Sequence, residues 1–188
     1  ATPGAFVGSN ALVQRTQLAL QRLPQTTVAV IDGACVGGGL GLALACDLRL
    51  ASSRSRFAIT PAKLGLVYSA DDSRRLVHAV GMARARELLL SGRVVDADTA
   101  AGWGLVHRVV AADALAAAEA EWLDGLRATS GQARRGIKAV LAHLAGDPSV
   151  DADAADAAFA DAFTSSDFAE GAAAFLARRA PSFGGEGA

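Results

Sequence analysis

Apolar positions along this chain change their period several times, and each change predicts a change of element. Leu12, Leu18, Leu20 and Leu23 fall on or near one side of a helix, so a helix is predicted from Asn10 to Leu23, stopped by Pro24. The nine residues before it carry turn formers and no period, and read as loop. Val28-Ala29-Val30-Ile31 is an unbroken apolar run of strand length, and a loop over Gly33–Gly39 and a helix over Leu40–Cys46 follow it. Asp47 to Ala51 alternates polar and apolar, as a half-buried strand does, and Phe57-Ala58-Ile59 is a further short strand. Pro61 and Gly65 punctuate a turn. Ser73–Val80 is amphipathic and ends at Gly81, and Met82–Leu90 is helical again. Val94-Val95 reads as a short strand, with Asp96 or Asp98 capping a helix through Gly102. Leu105–Val110 is a strand, two helices broken near Thr129-Ser130-Gly131 follow, and Asp151–Phe163 and Phe168–Arg179 close the chain before a tail with the composition of disorder. The layout is an α/β part over residues 1–112 followed by a helical part over residues 113–188.

Composition narrows the function classes. With 188 residues, 52% of them hydrophobic, the chain can bury a core without staples. A formal charge of −1 gives no basic footprint for nucleic acid. Cys35 and Cys46 show neither CxxC nor Cys/His spacing and read as small core residues of a reducing compartment. No run of about twenty apolar residues is present, so a cytoplasmic protein without a membrane partner is expected.

The chemistry concentrates in IDGACVGGGLGLALACDLRLA, residues 31–51. A strand, a glycine loop and a helix start gather free N–H groups at the positive end of a helix dipole. Such a place suits a phosphate or an oxyanion that develops during reaction. The phosphate motifs fail: no GxxxxGK[ST] occurs, and Leu42 holds the last glycine position of GxGxxG. GxSxG is absent as well. Tight helix–strand packing is the plain alternative.

The stretch VAVIDGACVGGGLGLALACDLRLASSRSRFAITPAKLGLV resembles the centre of the enoyl-CoA hydratase/isomerase (crotonase) superfamily. RRLVHAVGMARARELLLSGRVVDADTAAGWGLVHRVV and the C-terminal AEGAAAFLARRAPSF are similar to its later segments, so the likeness runs from about Leu20 to Phe183. The resemblance implies a ββα spiral core with a helical C-terminal trimerisation region, a homotrimer or hexamer, and a coenzyme A thioester of fatty acid metabolism as ligand, with no further cofactor and no metal. It also implies two backbone donors to the thioester carbonyl. One is the N–H of Gly38, in the middle of the GGG run. The other belongs to an earlier Ser-Ala-Gly-Ala-Asp-Leu loop that this sequence does not contain, so the chain reads as a fragment or as a record without its preceding part.

The resemblance departs where hydratases carry their two carboxylates. The position of the first, in Gly-Gly-Gly-x-Glu, is Gly41. The second, in Pro-Glu-x-x-Leu-Gly, falls on Pro61, or on Ala62 after a slip of one residue. Neither moves a proton. The nearest acids are Asp71 and Asp72, which either cap the following helix or act as a lone base, while the relatives' own aspartate in this stretch aligns nearest Ser69. Tyr68, the only tyrosine, could donate a hydrogen bond, but a phenol of ordinary pKa about 10 is a poor acid at neutral pH, and core packing is the preferred reading. His78, His107 and His143 have no ligand spacing. Arg178 and Phe175 match family positions near the CoA nucleotide, often reached from a neighbouring subunit, although a basic helix end also has an ordinary dipole explanation. Two readings remain: an enolate-stabilising enzyme of lyase or isomerase type, and a non-catalytic acyl-CoA-binding protein.

Overall fold

The computed structural model of the chain describes residues 3–184. Two compact units divide it: one takes the chain up to Leu23 together with Thr27–Glu119, the other Pro24–Thr26 and the chain from Ala120 onward.

The first unit is written as two strands and a helix, repeated. After α1 (Pro3–Gln21) come β1 (Val28–Ile31), β2 (Ala34–Val36) and α2 (Gly38–Ala45). Then follow β3 (Leu48–Ser52), β4 (Arg56–Ala58), a 3-10 turn at Pro61–Leu64 and α3 (Ala70–Ser91). A shortened last turn holds β5 (Val95–Asp96), α4 (Ala97–Gly102) and β6 (Arg108–Val110). The first strands of the two full turns join β6 in one sheet, in the order β1-β3-β6, parallel throughout, with Val28 beside Leu48 and Leu50 beside Arg108. Their second strands join β5 in another sheet, β2-β4-β5, in which β2 and β4 are parallel and β5 is antiparallel. Stacking like on like in this way is the ββα spiral, an α/β fold. One hydrophobic core holds Leu40, Phe57, Ile59, Leu76, Leu88 and Leu105, all fully buried.

Several sequence expectations are corrected here. Residues 3–9 are helical and continue α1, with Pro3 at the first helical position, where its missing N–H costs nothing. Residues 1 and 2 of the expected loop lie outside the described residues. Ala34–Val36, placed in the glycine loop, is a strand because Cys35 pairs with Phe57 across the sheet. Three residues are too few to display a period. Helix α2 opens at Gly38, two residues before the leucine taken as its start. Of Leu105–Val110 only the last three residues pair; Leu105 instead donates its N–H to Ala100 O at 2.9 Å and is buried in the turn after α4. The break at Gly81 is real: its φ of 73° and ψ of 163° interrupt α3 without ending it.

The second unit is helical. Its elements are α5 (Leu115–Arg127, entered from the first unit), α6 (Gly131–Leu144), α7 (Ala152–Ala162) and α8 (Ser166–Leu176). Ser130, Asp151 and Ser165 cap the last three through their side chains. Helix α8 is shorter than expected, so Arg178 sits beyond its end with φ at 50°. Residues 181–184 of the tail are anchored rather than loose: Ser182 N–H donates to Glu170 Oε1 at 2.7 Å, and the Phe183 ring packs on Gly171. The rest of the tail lies outside the described residues. Among the described residues no helix is long and apolar enough to cross a membrane.

Candidate functional site

Strand β2 ends at Val36, and the chain turns at Gly37 with φ 55° and ψ −115°, a conformation that a side chain would forbid. Gly37 N–H is anchored to Ala58 O of β4 at 2.9 Å. Its carbonyl accepts from Gly41 N–H at 3.0 Å and so closes the first turn of α2. Between these bonds, the N–H groups of Gly38 and Gly39 find no acceptor among the described residues. A Cβ at residue 37, 38 or 39 would meet nothing within 4 Å. The glycines therefore bare an exposed backbone surface; they do not make room for a packed neighbour. Two free donors at a helix N-terminus are an anion or oxyanion cradle.

One turn further, Gly41 faces inward and is buried. A Cβ there would lie 2.3 Å from Gln17 Nε2, 3.0 Å from Asp72 Oδ1 and 3.2 Å from the Tyr68 hydroxyl. The space that a glutamate side chain would need is thus taken by polar groups from α1 and α3. Asp72, 4% exposed, accepts from Ser69 Oγ at 2.7 Å, Gln14 Nε2 at 2.9 Å and Arg75 Nη2 at 2.9 Å. Arg75 also donates to Gln17 Oε1 at 2.9 Å and Gln21 Oε1 at 3.0 Å. Gln17 Nε2 and Arg75 Nε are left without partners in this buried network. The Tyr68 hydroxyl donates to Gly37 O at 3.3 Å. Burial, and then the neighbouring Asp72 charge, push its ionisation far up, so it stays a neutral donor.

Of the sequence-nominated residues, Gly38 and Asp72 are brought to the same glycine turn, and Asp71 is not. Asp71 is half exposed and pairs with Arg74 at 3.3 Å on the surface. Neither aspartate is the cap: Ser69 is, its Oγ accepting from Asp72 N–H at 3.0 Å while donating to the Asp72 carboxylate. Pro61 opens the 3-10 turn and offers no acid. Phe175 and Arg178 belong to the second unit, both exposed. His107 Nδ1 accepts from Arg49 N–H at 3.1 Å, His143 Nδ1 lies 3.2 Å from Val150 O, and His78 is exposed. No cluster of three His, Cys, Asp or Glu able to hold a metal occurs among the described residues. Neither cysteine is in a disulfide; Cys35 is buried, which raises its ionisation to about 11, but Cys46 is only half buried, not a core residue. Sequence reasoning missed Gln17, and it ranked packing above the hydrogen bond that Tyr68 makes. A signal for the first existed: Gln14, Gln17 and Gln21 recur at i, i+3 and i+7, a polar stripe on one side of α1.

The sequence profile of the enoyl-CoA hydratase/isomerase family matches residues 8–186. The chain belongs to that family. It is 34% identical over 174 residues to the mitochondrial methylglutaconyl-CoA hydratase of Rattus norvegicus, a match covering 89% of this chain and 55% of that protein. Among solved structures it is similar to an enoyl-CoA hydratase/carnithine racemase from Magnetospirillum magneticum, with a TM-score of 0.88, 35% identity, and coverage of 98% of this chain and 69% of that one. An enoyl-CoA hydratase from Bacillus anthracis superposes with a TM-score of 0.87 at 28% identity, covering 99% and 72%. The chain spans between about half and two thirds of the length of the curated relatives it matches. The likeness to family members fits the spiral core described above, and the crotonase resemblance read from the glycine run holds.

Proposed function

We propose that this member of the hydratase/isomerase family binds an acyl-CoA thioester and polarises its carbonyl with the N–H of Gly38, stabilising the enolate that forms when C2 loses a proton and is discharged when C2 takes one back. The observation that carries this is the pair of acceptor-free amides at the bared start of α2. A preorganised donor of this kind contributes about 3 kcal/mol when it is aimed at a developing oxyanion. The two-glutamate hydration route does not fit Gly41 and Pro61. Asp72 is the carboxylate nearest the turn, but its oxygens already accept three side-chain hydrogen bonds. To act as a base it must give up Ser69 or Gln14. Asp71, exposed and paired with Arg74, is the lesser candidate.

Those engaged oxygens favour a second reading, a non-catalytic acyl-CoA-binding protein that keeps the carbonyl grip. Phe175 and Arg178 are proposed contacts to the CoA nucleotide, offered across subunits of a homotrimer or hexamer in the cytoplasm. The helical region from residue 113 on is proposed as its trimerisation part.

The deciding experiment is turnover of crotonyl-CoA and longer 2- and 3-enoyl-CoAs, with Asp72→Asn and Asp71→Asn beside the parent. Turnover removed by Asp72→Asn, with the variant still folded by circular dichroism and still binding the thioester, supports the lone-base enzyme. Tight thioester binding without turnover supports the binder. Hydration of crotonyl-CoA untouched by both substitutions would overturn the assignment of the acid.

A further inference from the structure

The free N–H of Gly38 and the carbonyl of Gly37 are two ends of one peptide group. In a trans peptide they point in opposite directions, so whatever holds the oxygen also aims the hydrogen. Little in the local chain does so: residues 37, 38 and 39 carry no side chains, and Gly37 sits at positive φ. Two donors grip that oxygen from behind. One is Gly41 N–H, at 3.0 Å, within the same turn. The other is the Tyr68 hydroxyl at 3.3 Å, the side-chain donor among the bonds to this carbonyl.

We propose that Tyr68 is a positioning residue for the Gly38 donor, its hydroxyl fixing the Gly37–Gly38 peptide plane and strengthening the outward N–H by polarising the carbonyl at the other end. The inference rests on the reading of Gly38 given above. Hydrogen bonds in a chain reinforce one another in a low-dielectric surrounding, and an amide whose oxygen accepts two bonds is a better donor than one whose oxygen accepts a single bond. The ring is partly buried against the core, so a phenylalanine would fill the same space. Only the hydroxyl carries the effect.

The test reads the carbonyl grip directly. Wild-type chain is mixed with 4-dimethylaminocinnamoyl-CoA, whose absorption moves to the red as donors polarise the thioester carbonyl. Binding of a saturated acyl-CoA thioester is compared in parallel with that of the matching thioether, which has no carbonyl. Wild type is expected to give a red shift and to prefer the thioester. In Tyr68→Phe the red shift shrinks and the preference falls roughly fivefold, the size of one net hydrogen bond, with thioether affinity unchanged. Because this is the single tyrosine of the chain, growth on 3-fluorotyrosine alters the same hydroxyl alone. It makes a stronger donor of nearly equal size, and the red shift is expected to grow. A red shift identical in wild type, Tyr68→Phe and the fluorotyrosine protein overturns the inference and leaves the Gly38 reading standing. If Tyr68→Phe fails to fold, an unchanged shift in the fluorotyrosine protein overturns it alone. A bound probe with no red shift in wild type removes the Gly38 reading and this inference together.

Discussion

At residue 41 the chain carries no side chain, and polar neighbours occupy the space beside it. Gln17 Nε2 would stand 2.3 Å from a Cβ there, and Gln17 cannot swing aside freely because Arg75 holds its other amide atom. Gly41→Ala is therefore expected to destabilise the fold by about 1–3 kcal/mol, the usual cost of overpacking, measured by denaturant unfolding. Adding Gln17→Ala should recover most of that loss, a coupling seen only if the two sites touch. Gly41→Glu alone should yield no hydratase, because the carboxylate has no room. Asp72→Asn strikes the same network from the other side. With side chains 5% and 9% exposed in the Asp72–Arg75 pair, removing one charge strands the other, at about 3 kcal/mol or more in unfolding free energy. The lack of an acid at Gly41 and Pro61, the positions that the resemblance gives to hydratase carboxylates, was legible in the sequence. What fills the gap was not, because Gln17 and Asp72 are 55 positions apart and only the packing of α1 on α2 and α3 makes them neighbours.

At the scale of elements, caps were easier to anticipate than starts. Asp96, one of two caps considered for α4, does accept from Thr99 N–H at 2.9 Å. At α3 the aspartates drew attention while Ser69 did the capping. Ser69→Ala should cost more than the ~1 kcal/mol typical of a lost cap, because the same hydroxyl also donates to buried Asp72; thermal unfolding checks it. Short strands such as Ala34–Val36 escaped notice for the opposite reason, their pairing partners lying more than twenty residues away. The tail after α8 offers a pH-dependent case. Hydrogen bonds from Arg179 and then from Ser182 N–H hold the Glu170 carboxyl at about 2, against an ordinary 4.5. A depressed acid stabilises the folded form above its unfolded value and loses that contribution as pH falls through its folded one. The Ser182 amide resonance should thus stay in place down to about pH 3 and shift below it. Arg179→Ala should move that midpoint up towards 4.5. On so solvated a pair the effect on global stability is small.

At the scale of the molecule, the spiral of the first unit entered through resemblance, because one of its strands, Ala34–Val36, is too short to show a period and reads as loop. The assembly was not legible from periodicity at all; the trimer entered only through resemblance. The second unit supplies a physical reason to expect association. Phe159, Phe163 and Phe168 are each more than half exposed, yet they are ordered edge to face, with centroids 5.2 and 5.8 Å apart. Beside them, α6 and α7 leave a cavity of about 310 Å³, walled by Gly136, Ile137, Leu141 and Ala162 and almost wholly apolar. A lone soluble chain seldom keeps so contiguous an apolar surface in water. Sedimentation velocity at micromolar concentration is therefore expected to show a closed oligomer. Phe159→Glu with Phe163→Glu should return it to monomer while the unfolding of the first unit stays unchanged, since neither ring belongs to that unit's core. A wild-type chain that sediments as a monomer at every concentration would show that these phenyl groups serve something other than a second copy, and would take the proposed intersubunit route to CoA through Phe175 and Arg178 with it.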